Sequence, residues 1–153
     1  MVDTMTPAQR SERMSRIRSG NTKPEIALRR ALHQLGFRFR VHGTRLPGKP
    51  DIVLAKYKTA IFVHGCFWHR HPGCKVATTP KSNTDFWANK FARNVERDER
   101  VVRQLEDDGW RVIIVWECDV DGPSKATSVA ARIAMVLRQD VIEGSNSRRA
   151  KQG

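Results

Sequence analysis

Three apolar runs and one long helix constrain the fold of this chain more than any other feature. The runs are Asp51–Ala55, Thr59–His64 and Trp110–Glu117, and each has the length of a buried strand. Only three residues separate the first two, which predicts a hairpin, whereas apolar residues at helical intervals between 82 and 108 predict a long helix. A strand, a helix and a further strand make a crossover unit with parallel strands. We therefore predict an α/β fold with a mixed sheet and helices on both faces.

The rest of the chain adds two helices and one short strand to this unit. The spacing of Thr22 and Glu25 is that of a capping box, and it predicts a helix that ends at Gly36. A half-exposed strand is predicted over Phe37–Val41, and a last helix from Ser124 to about Arg138.

The chain is long enough for one domain and shows no sign of a second core. We expect a basic arm over residues 1–21, a folded domain over residues 22–140 and a disordered polar tail over residues 141–153.

The basic charge is unevenly distributed along the sequence. Lys and Arg number 28 against 16 Asp and Glu, which gives a formal net charge of +12. Residues 1–50 hold 11 bases and 3 acids, residues 51–100 hold 9 and 5, and residues 101–153 hold 8 and 8. An excess confined to the first two-thirds favours a basic face or arm over scattered solubilising charge. We expect a nucleic acid as the partner, bound through its phosphates.

Membrane and secreted classes of protein do not fit this sequence. The longest apolar run, Val112–Trp116, is far short of the ~20 residues that a bilayer span needs, and the polar start has no signal-peptide core. The sequence contains no strongly basic amphipathic helix with a large aromatic face, so an anionic membrane surface is not favoured as the partner. Three cysteines do not form a disulfide framework. The expected compartment is the cytoplasm, where cysteines act as core residues, metal ligands or nucleophiles.

A loop with Gly, Pro, Cys and His but no periodicity follows the second strand. It contains Cys66, His71 and Cys74, and Cys118 lies at the end of the last strand. Four soft ligands of this kind suit a tetrahedral zinc ion with no open position for water. The alternative is three inert cysteines and a surface histidine, but a long loop with several breaks needs an anchor.

An acid and two histidines lie at one end of the predicted hairpin. Asp51 opens the first strand, His64 ends its partner, and antiparallel pairing brings these two ends together. His69 follows five residues later and can reach the same edge. Each residue alone is explained as a solvated loop side chain or a satisfied strand-end histidine. Their convergence favours a catalytic site.

Two further acids have competing explanations. Asp98 interrupts the apolar stripe of the long helix, so a buried partner such as a histidine or a base is expected. The alternative is that it lies only at the edge of the stripe. Glu25 is explained by helix capping, but it could also face the Asp51 edge and accept a hydrogen bond from a metal-bound water.

Large aromatic rings stand beside these polar residues. Phe67 and Trp68 lie inside the Cys/His loop, and Trp87 is near the start of the long helix. In a basic protein, exposed rings on a rigid loop indicate base stacking or insertion between base pairs. The alternative is a small hydrophobic cluster under the loop, which is more plausible for Trp87 than for the pair.

Four sequence motifs follow one another in the chain: Pro47–Asp51, Ile61–His69, Asn94–Asp98 and Gly109–Cys118. Together they resemble the very short patch repair (Vsr) endonuclease family, bacterial enzymes that nick DNA beside the thymine of a T:G mismatch left by deamination of 5-methylcytosine. The resemblance covers about residues 8–138.

The resemblance implies a restriction-endonuclease-like fold (PD-(D/E)xK type) and a magnesium-dependent site. Asp51 and the backbone carbonyl of Val63 would bind Mg²⁺. Glu25 would lie behind these ligands and would not contact the metal directly. His69 would be the general base, with His64 assisting at the scissile phosphate. A further implied role is that of Asp98, which would orient His69.

The resemblance also implies a structural zinc ion and a set of DNA contacts. The zinc ligands would be Cys66, His71, Cys74 and Cys118. Phe67, Trp68 and Trp87 would form a wedge in the DNA. Met14 and Ile17 of the arm would reach the minor groove. Lys90 and Asn94 would touch the mispaired bases.

Two departures from the family pattern affect these roles. Position 63 is Val where Thr is familiar, which removes a side-chain role but leaves the carbonyl. The stretch Arg70–Cys74 lacks most of a histidine cluster and has one extra residue, so His71 is the least secure of the zinc ligands.

We therefore expect a strand-nicking mismatch endonuclease that acts as a monomer on nucleoid DNA in the bacterial cytoplasm. Mismatch-repair proteins and a repair DNA polymerase are its expected partners. Two alternatives stay open: a related restriction-type endonuclease that cuts matched or relaxed-context sites, and a zinc-stabilised DNA-binding module without catalysis.

Overall fold

The computed structural model describes the backbone of residues 21–43 and 45–150, and the side chains of these residues up to 140. Its helices are α1 (Lys23–Gln34), α2 (Thr84–Asp107) and α3 (Pro123–Ala150). Its strands are β1 (Arg40–Val41), β2 (Ile52–Leu54), β3 (Thr59–His64) and β4 (Arg111–Trp116). Short 3₁₀ turns follow β2 at Ala55–Tyr57 and β4 at Glu117–Val120.

The four strands form one mixed sheet in the order β1-β2-β3-β4. β2 and β3 are the predicted antiparallel hairpin, in which Leu54 pairs with Thr59. β3 and β4 run parallel, with His64 beside Trp116, because the long helix α2 returns the chain to the same end of the sheet. The predicted mixed sheet is therefore confirmed.

Helices cover both faces of the sheet, as predicted. On one face, α1 and α3 pack around a core that includes Leu28, Leu32, Ile61 and Leu137. On the other face, α2 packs through Leu105 against a smaller core. The site residues contributed by α2 thus approach β3 from the opposite side to α1.

The first strand is shorter than predicted, because α1 uses the backbone that the strand would need. The N–H groups of Gly36 and Phe37 donate to the carbonyls of His33 (3.0 Å) and Leu32 (3.2 Å), which closes the last turn of the helix. The Phe37 ring is buried against Tyr57 at 5.7 Å between centroids. Only Arg40 and Val41 remain free to pair with β2.

The last helix is longer than predicted. It continues to Ala150, past the expected end near Arg138 and through most of the segment for which a disordered tail is expected. The backbone from 139 to 150 contains no Pro, and the single Gly144 costs a helix only about 1 kcal/mol relative to Ala. Met14 and Ile17 of the expected arm lie outside the described residues. Within the part of the chain that the structure describes, no helix has the length and apolarity to cross a membrane.

Candidate active site and metal centre

Asp51 lies at the end of the hairpin where β2 begins and β3 ends. Hydrogen bonds from Val63 and His42 fix its position. Its Oδ2 accepts a hydrogen bond of 2.7 Å from the backbone N–H of Val63, and its carbonyl accepts one of 3.1 Å from the N–H of His42. The pKa of Asp51 is raised to about 6. Burial is the main cause and the nearby Glu25 carboxylate raises the pKa too, whereas the hydrogen bond from Val63 lowers it. A cavity of about 910 Å³ opens beside this carboxylate. The carboxyl group is therefore fixed, partly desolvated and suited to a cation.

His64 and His69 stack face to face in the same cavity. Their ring centroids are 3.9 Å apart with an interplanar angle of 7°. Burial, together with the neighbouring His69, lowers the pKa of His64 to about 4, so His64 is neutral at pH 7. The predicted convergence of Asp51 with both histidines is present in the structure.

Asp98 has the partner that its place in the apolar stripe predicts. Its Oδ2 lies 2.6 Å from Nδ1 of His69, and both side chains are about one-fifth exposed, at 21% and 23%. A carboxylate on Nδ1 favours the neutral tautomer that carries its proton there. Nε2 of His69 is then the free proton acceptor.

The predicted capping box forms only through the Thr22 side chain, because the Glu25 carboxylate contacts His42. The backbone N–H of Glu25 donates to Oγ1 of Thr22 at 3.4 Å, which is the capping contact. Its carboxylate, however, turns inward: the side chain is buried, and Oε1 lies 2.9 Å from Nε2 of His42. Glu25 therefore faces the Asp51 edge.

His42 also lines the cavity that contains Asp51, although no sequence pattern predicts it there. It has a positive φ of 52° and lies directly after β1. A single histidine in a loop has no pattern that marks it as a site residue. Only the pairing of β1 with β2 places it between Glu25 and Asp51.

The four predicted zinc ligands come together. The ligand atoms of Cys66, His71, Cys74 and Cys118 all lie within 4.8 Å of one another. The sulfurs of Cys74 and Cys118 are 4.0 Å apart, and Nδ1 of His71 is 3.4 Å from Sγ of Cys118. With Zn–S bonds of about 2.3 Å, a tetrahedral ion would hold sulfurs about 3.8 Å apart. The donor set therefore fits one tetrahedral metal ion.

A second triad, His64, His69 and Asp98, also has its ligand atoms within 4.8 Å. Imidazole nitrogens bind metals in the plane of the ring, and two parallel stacked rings direct their lone pairs side by side. This geometry suits a base and its neighbour better than two ligands of one ion.

Arg70 connects two parts of the Cys/His loop through hydrogen bonds, and its place in the sequence does not predict this role. Its guanidinium donates to the carbonyls of Thr78 (2.9 Å) and Ala77 (3.2 Å). It also lies 4.1 Å from the centroid of the Phe91 ring. The planar five-donor fork of arginine suits this combination of carbonyls and ring. An isolated arginine in a basic chain gives no sequence signal of such a role.

The aromatic residues are less exposed than expected, since they pack on one another. The Phe67 ring lies 5.1 Å from Trp68, 5.7 Å from Trp87 and 5.3 Å from Phe91, measured between centroids. The side chains of Phe67, Trp68 and Trp87 are half-buried. The rings therefore form the small hydrophobic cluster that was the alternative, with the first turns of α2 as partners, while they stay partly exposed.

Lys90 and Asn94 lie beside this cluster, which we call the aromatic cluster (Phe67, Trp68, Trp87 and Phe91). Nζ of Lys90 is 5.4 Å from the Trp68 ring centroid. The side-chain amide of Asn94 donates to the Trp68 carbonyl at 3.2 Å. Both residues therefore approach the cluster from one face of α2.

Comparison with known proteins finds one family and several close relatives. The sequence profile of the family described as DNA mismatch endonuclease Vsr matches residues 2–75. The type II nicking enzyme V.XorIIP of Xanthomonas oryzae pv. oryzae is 44% identical over 137 residues, which cover 90% of this chain and 98% of the relative. The DNA mismatch endonuclease Vsr of Escherichia coli K12 is 44% identical over 130 residues, which cover 85% and 83%. The type II nicking enzyme V.NmeAIP of Neisseria meningitidis is 50% identical over 120 residues, which cover 78% and 85%.

Proposed function

This chain belongs to the Vsr family of DNA mismatch endonucleases, and on that premise we propose that it nicks one strand of duplex DNA beside the thymine of a T:G mismatch arising from 5-methylcytosine deamination. The resemblance predicted from its sequence motifs is confirmed. One observation carries the proposal: the Asp51 carboxylate and the His64, His69 and Asp98 triad line a single cavity. Such a cavity can receive one phosphodiester group together with a water.

The cation site of the proposed reaction lies at Asp51. The carboxylate of Asp51 and the carbonyl of Val63 are the ligands that the family resemblance implies, with Glu25 behind them. The oxygen donors and the second nearby carboxylate suit a hard cation such as Mg²⁺. A bound Mg²⁺ supplies charge stabilisation on the phosphate and on the leaving oxygen.

His69 is the proposed general base. With Nδ1 hydrogen-bonded to Asp98, its Nε2 accepts the proton of the attacking water. Asp98 is a positioning residue in this proposal, because it acts only through the ring that it holds. His64 stays uncharged through burial, so it assists at the phosphate as a hydrogen-bonding and packing group.

Removing the base slows the chemical step without weakening DNA binding. We expect His69→Ala to lower the single-turnover nicking rate by about 100- to 10,000-fold, the range for general acid–base catalysis. Asp98→Asn lowers the same rate, since the amide can donate to Nδ1 and shift the proton of His69 to Nε2. His33→Ala, on the exposed end of α1, is the matched control. Equal rates for His69→Ala and His33→Ala would remove His69 from the mechanism.

Mismatch selection is assigned to the aromatic cluster. A T:G pair unstacks at lower cost than a matched pair, so inserting rings beside it is favoured over inserting them at a matched step. Phe67, Trp68 and Trp87 are the proposed wedge, and Met14 and Ile17 of the arm are the proposed minor-groove contacts. The basic Lys90 and the amide of Asn94 are close enough to the cluster to contact the mispaired bases.

Truncating the wedge reduces discrimination. We expect Phe67→Ala or Trp68→Ala to lower the ratio of T:G to matched-duplex affinity by about tenfold, because ring stacking on a base contributes about 1–3 kcal/mol. The measurement is competitive binding of two duplexes that differ only in the mismatched pair. Val76→Ala, an exposed apolar position in the same loop, is the control. An unchanged ratio in both wedge variants contradicts this role.

The nicking assay that tests the function compares T:G and matched duplexes in one sequence context, with and without Mg²⁺. Fast nicking of the T:G strand that depends on Mg²⁺ is the expected result. Equal nicking of matched DNA favours a restriction-type endonuclease of relaxed context. Binding without nicking in any condition favours a DNA-binding module. In the proposed pathway the enzyme acts as a monomer and passes the nick to mismatch-repair proteins and a repair polymerase.

A further inference from the structure

A groove of about 580 Å³ runs along the exposed face of α2, apart from the active-site cavity. Basic side chains dominate its walls. Lys90, Arg93, Arg97 and Arg100 line it, together with Phe86 and Glu96. Of these, Lys90 already belongs to the proposed mismatch contacts, and the three arginines have no role in the site described above.

The spacing of the basic residues makes them one continuous row. Positions 90, 93, 97 and 100 follow steps of three and four residues, so all four lie on the same face of the helix. At a rise of about 1.5 Å per residue the row is about 15 Å long. One strand of a duplex places a phosphate about every 3.4 Å along the axis. The row is therefore long enough to face several consecutive phosphates.

The positive charge of the row is available to a ligand. Within residues 21–43 and 45–140, the ion pairs involve Arg29, His42, His69 and Arg111 as the cationic partners, and none involves an arginine of the groove. The side chains of Arg93, Arg97 and Arg100 are all exposed. They keep their reach and their hydrogen-bonding capacity for an anion.

Arg97 connects this groove with the active site. It lines both the groove and the cavity that contains Asp51 and His69. It also directly precedes Asp98, the residue that holds His69. A chain of phosphates that lies in the groove thus leads into the catalytic cavity.

We propose that Arg93, Arg97 and Arg100 bind the sugar–phosphate backbone that adjoins the scissile phosphate, as a phosphate-binding track along α2. This inference rests on the proposed function and specifies which DNA segment the helix receives. Arginine suits the task, because its planar fork binds phosphate oxygens in pairs. Phosphate contacts of this kind fix register and orientation, whereas the mismatch is read by the aromatic cluster.

Salt dependence of binding tests the track directly. We expect the double variant Arg93→Gln/Arg100→Gln to make the slope of log affinity against log salt concentration less negative by about 1.8, or about 0.9 for each lost phosphate contact. The measurement is fluorescence anisotropy with the full-length protein and a matched duplex, without divalent cations. Arg132→Gln, an exposed arginine on α3 across the sheet, is the control. A double variant whose slope equals that of Arg132→Gln overturns the proposal.

Glu96 provides a second test with the opposite sign. Glu96 also lines the groove, and its carboxylate would repel phosphates bound there. We therefore expect Glu96→Gln to tighten duplex binding several-fold. Glu106→Gln, on the exposed last turns of the same helix, is the matched control. If Glu96→Gln and Glu106→Gln bind duplex DNA with equal affinity, the phosphates do not lie in this groove and the proposal is wrong.

These binding assays separate the track from the proposed catalysis. If wild-type protein fails to nick T:G duplexes while the double variant still loses salt dependence, the proposed function is wrong, and only the binding of phosphates in the groove stands. If nicking is mismatch-specific but the slope does not move, the track alone is wrong.

Discussion

We expect Asp51→Asn to lower the single-turnover nicking rate by at least about 1,000-fold while duplex affinity changes by no more than a few-fold. The substitution keeps the shape of the site, because the Asn amide oxygen can still accept the hydrogen bond from the N–H of Val63. It removes the negative charge that a hard cation needs. Loss of one acid cannot weaken attraction to phosphates, so binding is retained.

The matched control for this substitution is Asp107→Asn, an exposed acid at the end of α2. Both variants lose one negative charge, so a difference between them reports the site and not net charge. A magnesium titration of the nicking rate completes the measurement: wild type and Asp107→Asn are expected to saturate, and Asp51→Asn to stay inactive. Wild-type nicking rates in Asp51→Asn would exclude the proposed cation site.

The second large effect is expected at the metal centre. We expect Cys118→Ser to lose bound zinc and to lower the Tm by on the order of 10 °C or more. Structural zinc contributes about 10 kcal/mol or more of apparent binding free energy in small domains, which is comparable with the whole stability of a typical domain. Burial and the neighbouring thiols of Cys66 and Cys74 raise the pKa of Cys118, and a bound zinc ion would favour its thiolate form.

Metal content and thermal unfolding are measured on the same samples of each variant. His71→Ala tests the least secure ligand, and His33→Ala is its exposed control on α1. We expect His71→Ala to lose metal and stability, and His33→Ala to retain both. Zinc-free wild-type protein with the stability of the metal-loaded form would rule out a structural role for the cluster.

The Cys/His cluster is connected with the two proposed catalytic imidazoles, so loss of a metal bound there is expected to reduce nicking. The His71 ring stacks on Trp116 at 4.3 Å and 12°, and the same Trp116 ring meets His64 edge-on at 5.5 Å and 69°. Trp116 thus connects the ligand cluster with the stacked histidines through direct contacts. His69 is further held by the loop, since its N–H donates to the Gly65 carbonyl at 3.1 Å.

Sequence patterns predicted the residues whose chemistry conflicts with their surroundings. Asp98 stood out because an acid occupies a position where the helical stripe requires an apolar residue, and the structure gives it His69 as its partner. The cysteine and histidine spacing predicted a cluster, and the four ligand atoms do converge. The roles of these residues in catalysis and metal binding stay predictions.

Other parts of the site had no local signal. His42 and Arg70 each stand alone in a loop, and their partners are distant or irregularly spaced. The burial of Phe67 and Trp68 also depends on where α2 begins relative to the loop, which periodicity cannot give. The groove on α2 could not be predicted from the sequence either, because it depends on how the helix is oriented against the sheet.

The sequence by itself determined the order of the main helices and strands, the mixed sheet and the two sets of converging residues, but not the lengths of the first strand and the last helix. It could do so because hydrophobic periods reflect burial, and antiparallel pairing fixes which strand ends meet. Only the tertiary structure decided that Glu25 turns toward His42, that the His64 and His69 rings stack and that Arg97 lines two cavities at once. Hydrophobic periodicity gives none of these features, because their geometry is set by how the loops and helices pack on the sheet.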